Sequence, residues 1–286
     1  MGQFSYLSEK IANAEFDYKP FKHLYLEDFL SEEHFNLVIN NPQVHFPETN
    51  STEELLGKLF DLGYQIQKFP GCSTDPQDYL RRLRDDDWPN EVKGNPIESY
   101  GMTFRLAKYH SDFLRELVEY LNGSEFKKTL EEKFEIRRPT NIITAVQKNL
   151  TKYEISPHPD VREKALTYLI NINKDSSIDD EDVHTHLLNF KEEWSFIPEY
   201  WRTHLEKNRC WVPWAWCDTK KITNKNNSMV MFAPDLETLH AIKLDYDHNK
   251  YQRTQLYGNL MNVGSIVPQM NWKELAAIKE KLSNEV

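Results

Sequence analysis

Two histidines and one aspartate have the spacing of metal ligands. His158 and Asp160 are separated by a single residue, Pro159. Residues two apart in an extended chain project to the same side, so this pair can offer a nitrogen and an oxygen to one ion. His240 begins a later strand-like segment and can complete the set. Two histidines and one carboxylate leave coordination positions open, which suits iron that binds an oxoacid and dioxygen.

Arg253 is the candidate for holding an organic anion beside that metal. It follows His240 by 13 residues and stands at the entrance of the last strand-like segment. A guanidinium is always charged and matches a carboxylate with two parallel donors. Arg253 can therefore bind the far end of a dicarboxylate whose other end chelates the metal. His184 and His186 also have ligand-like spacing, but the acidic run beside them favours an exposed loop over a second metal site.

The elements that must position these residues fall into a helical part and a strand-rich part. Capping residues followed by apolar residues at helical spacing predict helices after Ser31, over 52–62, after Ser111 and over 124–134. The rest of 42–100 is rich in Pro, Asp, Gly and Asn and is predicted to wrap the surface. A capping-box pattern opening at Asn271 predicts a C-terminal helix.

Short alternating segments rich in β-branched and aromatic residues predict strands over 21–29, 141–150, 164–173, 228–233, 240–244 and 255–262. With no helices alternating between them, an antiparallel sandwich or jelly roll is favoured. Segment 174–222 is predicted to be an insertion, either a binding lid or a small helical subdomain packed on the barrel. It contains five tryptophans: Trp194, Trp201, Trp211, Trp214 and Trp216.

Length and charge limit the classes of protein. A chain of 286 residues with 39% hydrophobic content predicts one domain over 1–286. Within it we expect helical support at 1–137, a jelly-roll core at 138–265 and a helix at 266–286. The net charge of -10 argues against nucleic-acid and membrane partners. Three cysteines without metal-site spacing, and a polar N-terminal segment, favour a reduced, cytoplasmic protein. Nothing in the sequence indicates an oligomeric state.

The order His-x-Asp, strands, His and Arg resembles the 2-oxoglutarate and Fe(II)-dependent oxygenase superfamily, most closely its prolyl-4-hydroxylase-like branch. Segments 20–30, 164–173 and 232–235 resemble that branch too. The resemblance implies a mainly β fold, a double-stranded β-helix with flanking N-terminal helices and a C-terminal helix. It implies Fe(II) bound by His158, Asp160 and His240, 2-oxoglutarate held by Arg253, and O2 as co-substrate. Asn149 and Thr167 are further candidates for cofactor contacts.

The sequence departs from the family pattern at two positions. Many relatives have a tyrosine nine residues before the first histidine, where this chain has Asn149, and a serine where it has Gln255. The implied reaction is hydroxylation of an unactivated C–H bond in a small polar molecule or a peptide side chain, with release of succinate and CO2. Because Asp160 occupies the position that halogenases leave open, we expect no chlorination. The alternatives are a jelly-roll metalloenzyme without 2-oxoglutarate, in which Arg253 braces the barrel, and a non-catalytic jelly-roll binding module.

Overall fold

The structure is a computed structural model that describes residues 2–69, 72–88, 101–174, 176–204 and 211–264. Its helices are α1 (Ser5–Asn13), α2 (Glu32–Ile39), α3 (Thr52–Asp61), α4 (Pro76–Asp85), α5 (Asp112–Leu121), α6 (Ser124–Lys133) and α7 (Ile197–Thr203). Its strands are β1 (Leu24–Leu26), β2 (Tyr64–Ile66), β3 (Thr103–Leu106), β4 (Thr140–Asn149), β5 (Glu154–His158), β6 (Lys164–Asn171), β7 (Thr185–Phe190), β8 (Cys217–Thr223), β9 (Met229–Phe232), β10 (Leu239–Lys243) and β11 (Arg253–Asn262).

The helices predicted after Ser31, over 52–62, after Ser111 and over 124–134 are confirmed. The side chains of Ser31, Ser51 and Ser111 each accept a hydrogen bond from the backbone N–H three residues later. These bonds satisfy amide groups that the first helical turn leaves without a partner.

The prediction for 42–100 is wrong in part, because the described portion holds α4 and β2 in addition to α3. Asp75 caps α4, Pro76 begins it, and Tyr79 is fully buried. Because α4 is rich in charged residues, its sequence did not indicate that Tyr79 is buried.

The strands form two antiparallel sheets. The larger sheet has the order β1-β9-β6-β11-β4-β3-β2, and the smaller has the order β5-β10-β7-β8. From β4 to β11 the chain passes repeatedly between the two sheets, which is the winding of a jelly roll. The predicted fold class, a double-stranded β-helix with flanking N-terminal helices, is therefore confirmed. The C-terminal helix predicted after Asn271 lies outside the described residues.

Two predictions about strands need correction. Only Leu24–Leu26 of the segment 21–29 forms a strand, which pairs with β9. Segment 174–222 is not a simple insertion, because β7 and β8 lie within it and β7 pairs directly with β10. Its β7 sequence, Thr-His-Leu-Leu-Asn-Phe, lacks the strict alternation that marks a half-buried strand.

The main hydrophobic core lies between the outer face of the larger sheet and the N-terminal helices, with Leu7, Leu59 and Leu117 completely buried. Packing there is close at Gly258 on β11. A Cβ atom at this position would lie 2.1 Å from the ring of Tyr168, so only glycine fits. On the opposite face of this sheet, Leu169 and Phe232 form a smaller apolar cluster with Leu187 of the smaller sheet, and polar side chains such as Gln147 and Arg253 line a cavity. Of the helices that the structure describes, none has both the length and the apolar composition needed to cross a bilayer.

Candidate metal centre

Neighbouring strands of the smaller sheet bring the two predicted histidine ligands together. His158 ends β5 and is the register partner of His240 on β10. Their ring centroids are 4.3 Å apart, and Asp160 follows β5 by two residues. All three side chains are buried, and one ligand atom from each lies within 4.8 Å of the others. Among the described residues this is the one such group of His, Cys, Asp or Glu that has metal-binding geometry.

The rings of both histidines are oriented by backbone carbonyls. Nδ1 of His158 lies 2.8 Å from the oxygen of Ser156, and Nδ1 of His240 lies 3.3 Å from the oxygen of Thr238. A proton on each Nδ1 leaves each Nε2 with a lone pair for a metal. Burial lowers the pKa of His158 to about 3, with a further contribution from His240, and burial also lowers the pKa of His240. Both rings are therefore neutral at pH 7, which is the protonation state of a metal ligand.

Two neighbours fix the carboxylate of Asp160. Lys164 donates a hydrogen bond to Oδ1, and Thr167 donates one from its hydroxyl to Oδ2. Burial works to raise the pKa of Asp160, but Lys164, His240 and His158 outweigh it and hold the pKa below its usual range. The carboxylate is therefore ionised. Lys164 also donates to the hydroxyl of Tyr257, at 2.9 Å. Sequence reasoning missed Lys164; the signal was a lysine four residues after the aspartate.

Arg253 is a buried cation without a carboxylate partner among the described residues. Its side chain donates from Nη1 to Asn149 Oδ1 at 2.9 Å and from Nη2 to Thr185 Oγ1 at 3.3 Å, while Nε has no acceptor in the described part of the chain. Arg253 is 2% exposed, and burial lowers the pKa of its guanidinium to about 10. A buried charge is costly unless it is paired, so an organic anion would satisfy both the charge and the free Nε–H.

One cavity joins these groups. It is lined by His158, Asp160 and His240 at one place and by Arg253 at another. The triad and a guanidinium that has no carboxylate partner among the described residues thus face the same space. The residues present fit Fe(II) with 2-oxoglutarate, because the donor set is the one that open-sided iron sites use and the orphaned Nε supplies the anchor.

The other predicted cofactor contacts occupy different roles. Asn149 lies at the end of β4 in the cavity wall, but its amide oxygen already accepts from Arg253 and its amide nitrogen donates to Thr103 at 2.9 Å. Thr167 also lines the cavity, where it orients Asp160. Gln255, the second departure from the family pattern, donates to Asn171 at 2.7 Å and leaves its own Oε1 without a partner.

The alternative metal pair, His184 and His186, does not converge. His184 is buried, with Nε2 2.6 Å from the carbonyl oxygen of Ile178. His186 instead contacts Thr219 at 3.0 Å and Asp182 at 3.3 Å.

The tryptophans of segment 174–222 divide between core and cavity. Trp194 and Trp216 stack at 3.9 Å in a cluster around the buried Trp201, which agrees with a packed subdomain. Trp211 instead lines the cavity. The cluster agrees with the packed-subdomain interpretation, and the binding-lid interpretation stays a prediction.

Fold and site together define a class: a jelly roll with a buried His-Asp-His triad and a buried arginine in one cavity. No protein-family model and no curated protein matches the chain. Solved structures with a similar fold include a Pseudomonas putida prolyl-4-hydroxylase, with 9% identity over 92% of this chain and 100% of that chain at a TM-score of 0.41. Another is a 2OG-Fe(II) oxygenase family oxidoreductase from Burkholderia pseudomallei, with 10% identity over 78% and 99% at 0.35.

A third similar structure is HygX from Streptomyces hygroscopicus, with nickel, 2-oxoglutarate and hygromycin B bound. It has 6% identity over 74% of this chain and 88% of that chain, at a TM-score of 0.33. All three structures are less than 25% identical to this chain and have TM-scores below 0.5. The proposed function therefore rests on this chain's own residues.

Proposed function

We propose that this chain is an Fe(II) and 2-oxoglutarate-dependent oxygenase that hydroxylates an unactivated C–H bond of a small polar molecule or a peptide side chain. The observation that carries the proposal is the pairing, in one cavity, of the buried triad with a buried arginine that lacks a carboxylate. A metal site alone would suit many reactions. A metal site with an unsatisfied anion anchor suits a reaction that consumes a dicarboxylate.

His158, Asp160 and His240 would hold the iron on one side, leaving its other side to the co-substrates. Arg253 would bind the distal carboxylate of 2-oxoglutarate, and Lys164 and Thr167 would keep Asp160 in the orientation of a ligand. When bound, Fe(II) with 2-oxoglutarate and O2 supplies the oxidising chemistry, with succinate and CO2 as the by-products. The apolar walls at Ile155 and Leu169 would exclude water from the reacting centre.

A second candidate is a jelly-roll metalloenzyme without an oxoacid. The hydrogen bonds from Arg253 to Asn149 and Thr185 favour it, because they link β11 to β4 and β7 as a structural brace would. A non-catalytic binding module is the third candidate. The metal stoichiometry distinguishes the non-catalytic binding module from the two metalloenzymes. The response to 2-oxoglutarate distinguishes the oxygenase from the metalloenzyme without an oxoacid.

The experiment is an anaerobic titration of the full chain with Fe(II) and then 2-oxoglutarate, followed by the weak visible charge-transfer band that this superfamily shows. We expect one iron per chain, and a band that needs both additions. His240→Ala should abolish the band. His186→Ala is the matched control, because it removes a histidine from the same sheet outside the triad. A band of full strength in His240→Ala, or no band in the unmodified chain, would remove the proposal.

A further inference from the structure

A second arginine, Arg105, faces the same side of the larger sheet as Arg253. Its neighbours on β3, Phe104 and Leu106, are buried in the main core, so Arg105 points to the opposite face. It is the register partner of Gln147 on β4. Although Arg105 stands at the edge of this face, the side chains that it touches line the cavity.

The contacts of Arg105 hold its guanidinium without neutralising it. Nε donates to Gln147 Oε1 at 2.9 Å, and the guanidinium carbon lies 5.4 Å from the ring centroid of Phe69 and 5.1 Å from that of Tyr257. Phe69, Gln147 and Tyr257 are all cavity residues. Such rings stack on a guanidinium face and leave its edge free for other partners.

That free edge has no acceptor within the described part of the chain. Neither Nη1 nor Nη2 of Arg105 has a hydrogen-bond partner there, and no carboxylate pairs with the side chain. Burial lowers the pKa of the guanidinium, and the ionisable groups that act on it electrostatically are tyrosines, Tyr257, Tyr153 and Tyr109. A partly desolvated cation with two free donor groups has the chemistry of an anion site.

The charge balance of the cavity points the same way. Asp160 is the one acidic residue among the described residues of its wall, and Lys164 compensates it. Fe(II) and the dianion of 2-oxoglutarate compensate each other. The charge of Arg253 then remains in the wall, and that of Arg105 lies against the lining residues Gln147 and Tyr257. This positive charge occurs in a chain whose net charge is -10. A cavity that stays positive with its cofactors in place favours a substrate with negative charge.

A second unsatisfied donor lies in the same wall. Trp211 lines the cavity, and its buried indole Nε1 has no hydrogen-bond acceptor among the described residues. Buried indole N–H groups usually have a partner, so this donor also indicates a ligand with acceptor atoms.

Resting on the proposed function, we infer that the substrate is a small carboxylic acid, such as a free amino acid, whose carboxylate is bound by the Nη1 and Nη2 edge of Arg105 between Phe69 and Tyr257. Trp211 donates to a further oxygen of the same molecule. Arg105 is thus a specificity-determining residue for the substrate, and Arg253 serves the co-substrate. The inference narrows the class of small polar molecules to those with a negative charge and disfavours cationic ones.

The test uses the full chain loaded anaerobically with Fe(II) and 2-oxoglutarate. The probes are the twenty common L-amino acids and a set of short hydroxy acids, each paired with its primary amide. An amide has nearly the shape of the acid but lacks the negative charge of the carboxylate. The readout is the shift of the visible band on adding a probe, followed by consumption of 2-oxoglutarate on exposure to O2. We expect at least one acid to bind about tenfold or more tightly than its amide, which is about 1.4 kcal/mol.

Arg105→Gln should remove that preference, and Arg105→Lys should keep part of it, since charge remains but the paired donors are lost. Arg115→Gln is the matched control, because it removes an equal charge from the exposed face of α5 and should keep the preference. Equal binding of acids and amides, a preference that survives in Arg105→Gln, or no response to any acid would overturn the inference. Since the band of the unmodified chain is measured before any probe is added, its absence would refute the proposed function instead. If Arg105→Gln does not fold, the preference for acids over their amides is compared between Arg105→Lys and the unmodified chain instead.

Discussion

Replacing Arg253 by methionine should separate the ligand-binding role of this residue from a structural one. Methionine has a similar length but removes the charge. In the ligand-free protein, burial lowers the Arg253 pKa from 12.5 to about 10, which corresponds to a cost of roughly 3 kcal/mol for keeping the guanidinium charged. The substitution removes that cost but leaves Asn149 and Thr185 without their donor, at about 1–3 kcal/mol for each buried group. We therefore expect the net change in the stability of the ligand-free chain to lie between a gain of about 1 kcal/mol and a loss of about 3 kcal/mol.

The response to 2-oxoglutarate should change much more. At a concentration one hundred times its Kd, a ligand stabilises the native state by about 2.7 kcal/mol. Losing the paired hydrogen bonds of Arg253 to a carboxylate should cost roughly 3 kcal/mol of binding, or about a hundredfold in Kd. The same concentration then stabilises the variant by only about 0.4 kcal/mol.

The assay is urea unfolding at fixed Mn(II), with and without 2-oxoglutarate, so that no turnover occurs. Stabilisation by the metal alone should persist in Arg253→Met, because the triad is untouched, and Arg115→Gln should behave as the unmodified chain. If Arg253→Met gains as much stability from 2-oxoglutarate as the unmodified chain does, or if the substitution alone unfolds the protein, Arg253 acts as a brace and the anchor assignment fails.

Three further predictions concern stability and metal affinity. His248 is 3% exposed, and burial lowers its pKa from 6.5 to about 4, so between these values the unfolded chain binds a proton that the folded chain does not. Stability should therefore fall by roughly 2–3 kcal/mol as the pH drops from 6.5 to 4, and less in His248→Gln, as urea unfolding at several pH values would reveal. Gly258→Ala should destabilise by more than about 2 kcal/mol because its Cβ would overlap the Tyr168 ring, and a normal melting temperature would contradict the packing described for β11. Thr167→Val should weaken Fe(II) binding about tenfold by freeing the carboxylate of Asp160. Thr219→Val is the control, because Thr219 lies on β8 of the smaller sheet and is not among the described residues that line the cavity. If Thr167→Val and the unmodified chain have equal affinities for Fe(II), measured by competition with a chelating dye, Thr167 has no positioning role.

The sequence was most informative where local spacing determines geometry. The pair His158 and Asp160 could be predicted because residues two apart in an extended segment share a side. The local pattern also indicated that His240 begins a strand, but only the fold shows that this strand pairs with β5. The helix starts at Ser31 and Ser111 were predictable for a similar reason, since a capping hydroxyl acts on an amide only three residues away. The number and spacing of the strands favoured an antiparallel sandwich or jelly roll, and the resemblance to the oxygenase superfamily implied the double-stranded β-helix.

What the sequence could not show depends on contacts between distant segments. The pairing of β7 with β10 is a long-range register that no local pattern in 174–222 reveals. Nothing in the local sequence distinguished Lys164, which binds Asp160, from other charged residues at strand ends. Arg105 follows a segment that was predicted to wrap the surface, and the sequence did not indicate that it approaches the cavity. A buried charge is recognised by its missing counter-ion, and only the fold shows which side chains surround it.

The measurement that tests the central claim most directly is the conversion of 2-oxoglutarate to succinate by the unmodified chain. The protein is loaded with Fe(II) without oxygen and then exposed to O2, and succinate is counted by mass spectrometry even when no substrate is added. We expect slow succinate formation that requires Fe(II) and stops in His240→Ala. It should fall at least tenfold in Arg253→Met at a 2-oxoglutarate concentration near the Kd of the unmodified chain. Iron bound by the triad with no succinate formed, with or without the carboxylic acid probes, would contradict the proposed function.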